Sequence, residues 1–189
     1  MASVSKAVHR VLDLEGGYSD HGLDPGGETA YGISREYWPD YWDDGEPDWR
    51  DAKRFYEEEF WEPLQLGKVH AQSVADEVLD IAVNLGKDRA VKLAQYGYNL
   101  ARPRDRDEIA VDGVVGPETL GAINHLANFD TKRYVRVLNG LQFCYYLYRT
   151  GHDDRVEELF STLPREDQDV FFRGWMRRIT FAEGEDDDA

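Results

Sequence analysis

Apolar residues at the start of the chain fall on one stripe. Val4, Ala7, Val8, Val11 and Leu12 stand at i, i+3, i+4, i+7 and i+8, the spacing of an amphipathic helix. The stripe stops at Gly16-Gly17, where glycine ends helices readily, so Glu15 falls near a helix C-terminus. Residues 18–34 are too rich in Gly, Asp and Pro for a helix. Within them "DPGGET", between tyrosine-containing flanks, predicts a tight turn or short hairpin, the only sheet the pattern suggests. After a Trp- and Asp-rich loop at 38–49, helical spacing returns over 51–61 through Ala52, Phe55, Tyr56 and Phe60 and stops near Pro63. Val74, Val78, Ile81, Ala82 and Leu85 mark a stronger helix ending near Gly86, and 90–100 continues after it. "RPRDRDE" breaks the pattern. In "VDGVVGPETLGAIN", Gly116 and Pro117 open a further helix, with proline in the first turn and Glu118 at the positive dipole end. Helical runs follow at 131–149 and about 165–180. The class is therefore mainly α with a small β-hairpin, without repeats or a long linker.

Composition narrows the partners. The 189 residues suit one compact domain, or one core with a small appended half, and 41% hydrophobic with 13% aromatic residues is a globular balance. A net charge of -16, from 22 basic and 38 acidic residues, argues against a nucleic-acid partner, because phosphate contacts need a positive footprint. Salt screens the self-repulsion of such a surface, which reads either as adaptation to high salt or as ordinary solubility charge. The single Cys144, in the apolar run "LQFCYYLY", cannot form an internal disulfide and is expected to be a buried thiol. "MASVSKAVHRVLDLEGG" is interrupted by polar residues, so it predicts neither a signal peptide nor membrane insertion. His9, His21, His70, His125 and His152 show no paired ligand spacing, and "DRDEIAVDG" lacks the alternation of a calcium loop, so neither metal nor cofactor is expected.

The candidate chemistry lies in the opening stretch. The last carbonyls of a helix form its negative end, which favours the neutral form of a carboxyl at Glu15, and packing against Tyr or Ile would favour it further. A carboxylic acid still protonated near neutral pH is what a glycosidase uses to protonate a leaving oxygen. Its partner must be a carboxylate that stays ionised. A hairpin folded back on the helix end brings Asp20 or Asp24 opposite Glu15; Asp24 is preferred because it approaches the Pro25-Gly26-Gly27 turn, leaving Asp20 to substrate binding. Thr29 can orient a water or bind a sugar hydroxyl. Tyr18, Tyr31, Trp38 and Trp42 can stack on sugar rings, and the Asn84 amide can bind an N-acetyl group. Each has a plainer alternative: a solvated helix end, a turn residue, strand filling, aromatic packing, or a polar helix terminus.

"EGGYSDHGLDPGGETAYGIS" resembles the opening of the glycoside hydrolase family 108 muramidases, phage-type lysozymes and related cell-wall hydrolases. The resemblance continues through "EEEFWEPLQ" and "VLDIAVNLG". It then runs into "VDGVVGPETLGAIN", similar to the family's small helical peptidoglycan-binding half, and "FFRGWMRRI", similar to its closing helix. It thus covers nearly the whole chain. It implies a lysozyme-like helical fold with a β-hairpin at the cleft, and hydrolysis of the β-1,4 bond between N-acetylmuramic acid and N-acetylglucosamine with Glu15 as general acid. It divides the chain into a catalytic region at 1–87 and a peptidoglycan-binding-like region at 88–182 packed on the same core; the residues "EGEDDDA" themselves read as a solvated acidic tail at 183–189.

The spacing of Glu15 and Asp24 also resembles the glutamate and aspartate of phage lysozymes, with Thr29 one residue short of their threonine. On that analogy Asp24 and Thr29 position a water and the anomeric centre inverts. Carboxylates about 6.5–9.5 Å apart fit that route, whereas about 5–5.5 Å fits retention. The implied partner is the peptidoglycan glycan strand. The implied biology is a monomeric endolysin of a virus or prophage in a salt-adapted bacterium, held in the cytoplasm and released through a separate holin-type pore. Two alternatives stand beside it: a non-catalytic peptidoglycan-binding or scaffold relative, and a lytic transglycosylase.

Overall fold

A computed structural model describes residues 1–15, 28–152 and 154, with 13–15 described by their backbone alone. The helix expected at about 165–180 and the tail at 183–189 lie outside the described residues. The chain forms two compact units, Met1–Ala90 and Val91–Ala189. The described elements are helices apart from one two-stranded antiparallel sheet, which is the mainly α, lysozyme-like class read from the sequence.

In the first unit, helix α1 (Val4–Glu15) buries Ala7, Val8, Val11 and Leu12, the stripe set by its spacing. Strands β1 (Thr29–Ala30) and β2 (Ile33–Ser34) pair Thr29 with Ser34 and Ala30 with Ile33. The described hairpin turns at Tyr31-Gly32; residues 24–27 of "DPGGET", where a tight turn is expected, lie outside the described residues. Tyr31 at φ 52° and Gly32 at φ 76° are both left-handed, the requirement at the two central positions of a type I′ turn. Glycine meets it freely; the tyrosine is held there by a long-range bond, from the Tyr56 hydroxyl to the Tyr31 carbonyl at 2.9 Å.

Helix α2 (Trp49–Tyr56) starts at a capping box. The Asp48 carboxylate accepts from the Arg50 and Asp51 N–H groups, while Asp51 accepts from the Asp48 N–H. The helical run does continue to Trp61, as its spacing predicts, but over Glu57–Trp61 it widens into a π-turn. Phe55 and Phe60 are five residues apart, as are Tyr56 and Trp61, and a π-turn sets such pairs on one face. The Phe55 and Phe60 rings accordingly meet at 5.7 Å. Helix α3 (Gln72–Leu85) ends at Gly86, whose φ of 90° suits glycine. It is buried on nearly every side from Val74 to Leu85, even Asp76 and Glu77 being covered.

The second unit takes α4 (Lys87–Ala101) from Val91 onward, α5 (Pro117–Phe129) and α6 (Thr131–Arg149). A Cβ at Gly97 would stand 3.0 Å from Leu138 Cδ2, so the glycine permits the close approach of α4 to α6. The buried Tyr134 hydroxyl donates to the Ala94 carbonyl at 2.8 Å across the same contact. Cys144 is exposed, against the buried thiol expected. The inward stripe of α6 runs through Tyr134, Leu138 and Gln142, one helical turn apart, and leaves Phe143 and Cys144 outside it.

Two side chains one turn apart on α4 organise the irregular stretch before α5. Asn99 donates to the Ile109 carbonyl at 2.8 Å and accepts from the Ile109 N–H at 2.9 Å. The buried Gln95 accepts from the Gly113 N–H and donates to Asp112 Oδ1, the Val114 carbonyl and Thr119 Oγ1 at 2.8 to 3.2 Å. Replacing Gln95 by leucine keeps volume but strands these groups, at about 1–3 kcal/mol for each one left buried and unpaired. Gln95→Leu is expected to lose about 3 kcal/mol of stability in urea denaturation. A loss below about 1 kcal/mol would show that water replaces the clamp.

Candidate active site

Glu15 is the last residue of α1, whose final turn carries no basic residue. No basic residue of that turn offsets the negative end of the helix at the position where the acid is expected. Tyr18, Asp20 and Asp24 lie outside the described residues.

After them the hairpin re-enters with Thr29 half-buried on β1 and Tyr31 half-buried at the turn. The ladder is extended by the Arg35 N–H, which donates to the Glu28 carbonyl at 2.9 Å, and closed at its mouth by the Arg35–Glu28 ion pair at 2.7 Å. Through the Tyr56–Tyr31 bond the turn is tied to α2.

Trp38 is half-buried and meets the edges of Phe55 at 5.0 Å and Tyr41 at 6.4 Å, so one part of its surface belongs to an aromatic cluster. Trp42 is only 6% exposed, which takes it out of the set available to stack on a sugar. It sits instead beneath the Arg35 guanidinium, 5.5 Å above its ring. Tyr37 was not singled out by the sequence pattern, yet it is 65% exposed beside Trp38. Tyr41 donates its hydroxyl to Glu58 at 3.1 Å. Burial first, then the Glu58 hydrogen bond and negative charge, push the Tyr41 phenol up to about 12.

Asn84 lies exposed on the last turn of α3, apart from the hairpin in sequence and element. Its amide nitrogen donates to the Asp80 carbonyl at 2.9 Å and to Asp80 Oδ1 at 3.3 Å. Asp80 escaped the sequence reading, although its i, i+4 relation to Asn84 was a visible signal. The structure thus brings Thr29 and Tyr31 together on one hairpin and Trp38 against the aromatic cluster.

A second feature joins α3 to α1. Gln72 accepts from the Ser3 N–H at 2.7 Å and donates to Asp76 at 2.7 Å, while Lys6 and Arg10 of α1 attract the Asp76 charge. Burial outweighs these attractions and raises the Asp76 carboxyl above its ordinary value of 3.8.

Residues 8–86 match the glycosyl hydrolase 108 family. The fold is similar to that of SagA from Brucella abortus, a solved structure, with 25% sequence identity, a TM-score of 0.52, and coverage of 90% of this chain and 95% of that one. No match to a curated protein is found.

The raised Asp76 carboxyl has a definite sign for stability. The folded state holds this proton more tightly than the unfolded state, so its contribution is fully present below the ordinary aspartate value and is lost as pH rises through the raised one. Asp76→Asn, which can still accept from Gln72, should melt with the wild type in acid and above it near neutral pH. Thermal melts across that range test this; a variant less stable than wild type at neutral pH would mean that Lys6 and Arg10 outweigh the burial.

Proposed function

We propose that this chain, whose residues 8–86 match the glycosyl hydrolase 108 family, is a glycoside hydrolase of peptidoglycan, an N-acetylmuramidase of the lysozyme type. The bond cleaved is the β-1,4 link between N-acetylmuramic acid and N-acetylglucosamine. The observation that carries this reading is the family match itself, which runs from Val8 within α1 through Glu15, the hairpin with Thr29 and Tyr31, and all of α3.

Glu15 protonates the glycosidic oxygen as the bond to the anomeric carbon breaks, with charge developing on the ring as an oxocarbenium-like transition state. Asp24, ionised, takes a proton from a water that Thr29 helps to hold. The water oxygen bonds to the anomeric carbon from the opposite face, and the centre inverts. One water is consumed per bond, the proton lost by Glu15 being balanced by the one gained by Asp24. Tyr18, Tyr31 and Trp38 offer ring faces to the sugars, and Asp20 and Asn84 offer polar contacts. The region at 88–182 serves as a helical peptidoglycan-binding half.

The charge of -16 supports a setting where salt screens repulsion from an anionic wall. In this reading the protein is a monomeric endolysin of a virus or prophage in a salt-adapted bacterium, passing from the cytoplasm to the wall through a holin-type pore.

Digestion of purified peptidoglycan by wild type and Glu15→Gln, with product masses, tests the chemistry. Wild type should give fragments with ordinary reducing ends, and the variant should fall by about 10²–10⁴-fold, the usual worth of a general acid. Fragments one water lighter, with 1,6-anhydro ends, would replace the hydrolase by a lytic transglycosylase. Binding without cleavage by the wild type would make the chain a scaffold, and equal cleavage by both proteins would remove Glu15 from the reaction. In the same assay activity should rise from dilute buffer as salt is added; a monotonic fall would overturn the high-salt setting.

A further inference from the structure

The contacts between α1 and α3 are ordered along the chain. Ala2 N–H donates to the Val69 carbonyl at 2.8 Å, Ser3 is bonded to Gln72, and the charges of Lys6 and Arg10 act on Asp76. Higher numbers on one helix meet higher numbers on the other, so α1 and α3 run parallel. The sequence separation of 69 that joins Ser3 to Gln72 also joins Glu15 to Asn84. Both helices rise about 1.5 Å per residue. From the Ser3–Gln72 contact each therefore climbs about 18 Å to reach Glu15 and Asn84, which puts the two residues at about the same height along the helix pair.

Asn84 is distinctive in that setting. From Val74 to Leu85 it is the one exposed residue of α3. An asparagine bonded to the carbonyl four residues back is common in helices, and Asn139 does the same to Val135 at 2.9 Å. Asn84 differs because its amide nitrogen also reaches the Asp80 carboxylate. With its nitrogen donating to two acceptors on Asp80, the group that Asn84 has left to offer is its carbonyl oxygen, an acceptor.

We propose that Asp80 and Asn84 recognise the 2-acetamido group of a sugar bound beside Glu15: Asp80 is a positioning residue that holds the Asn84 amide, and the Asn84 carbonyl oxygen accepts the acetamido N–H. The pair thus selects N-acetylated glycans over the same β-1,4 backbone bearing hydroxyls. This rests on the hydrolase reading for its location and adds to it the origin of N-acetyl selectivity.

Binding of two tetrasaccharides separates the claims without requiring turnover. Chitotetraose carries acetamido groups and cellotetraose carries hydroxyls on the same β-1,4 chain. In NMR titrations of the full chain carrying Glu15→Gln, chitotetraose should bind about tenfold more tightly, the worth of about one hydrogen bond. Asn84→Leu and Asp80→Ala, added singly, should each reduce that preference, and the double variant should be no worse than Asn84→Leu alone, because Asp80 acts through Asn84. The exchange Asp80→Asn with Asn84→Asp, which keeps a donor beneath an outward acceptor, should restore it. Thermal melts of the same variants should stay near that of the parent.

An unchanged preference in Asn84→Leu, additive losses in the double variant, or no preference in the parent would each overturn the assignment. Hydrolysis by the wild type alongside an unchanged preference sinks this proposal alone. Conversely, a preference that depends on both residues, in a chain that cleaves no peptidoglycan, supports it while sinking the muramidase reading.

Discussion

The first unit depends on the burial of α3. A helix covered on almost every side must find neighbours all round, and α1, the π-turn after α2 and the segment around Leu66 supply them. Two acidic side chains are carried inside with it. Asp76 is tolerated because Gln72 donates to it and Lys6 and Arg10 of α1 lie near its charge. The same contacts set the register of α1 on α3. Thus the polar contacts that relieve a buried carboxylate also fix the relative height of α1 and α3.

The hairpin is held by a different device. Two residues per strand cannot make a stable sheet alone, and its turn demands left-handed backbone from a tyrosine. The Tyr56 hydroxyl, delivered by α2, satisfies the Tyr31 carbonyl. The aromatic cluster around Phe55 adds apolar support, with Trp38, Tyr41, Tyr56 and Phe60 all within 5.0 to 5.7 Å of its ring. The π-turn is part of that arrangement, since it allows residues five apart to share one face. Thr29 and Tyr31, two of the residues assigned to the site, therefore owe their placement to side chains more than twenty residues downstream.

The second unit applies a comparable economy to a longer irregular stretch. Gln95 and Asn99 bond to the backbone between Ile109 and Val114, and Asp112 completes the fold of that loop by accepting from Val114 at 2.9 Å. The same hydrogen bonds from Val114 and Gln95 hold the Asp112 carboxyl below the ordinary aspartate range. The loop ends where Gly116 and Pro117 begin α5, so side chains of α4 determine how the chain enters the next helix.

By itself the sequence determined most of the described helices and where they stop. The stripes of α1 and α3, the glycine after each, Pro117 at the mouth of α5 and the position of Glu15 at a helix end are all local, set by periodicity and backbone sterics within a turn or two. The tertiary structure decided what depends on distant partners. It set a hairpin turn at Tyr31-Gly32, with the Tyr56 hydroxyl bonded to the Tyr31 carbonyl. It buried Trp42 under Arg35, and it exposed Cys144, because the inward stripe of α6 passes through Tyr134, Leu138 and Gln142. The pairing of Asp80 with Asn84 was legible as an i, i+4 relation. That it stands level with Glu15 was not, because this follows from parallel packing between helices almost seventy residues apart.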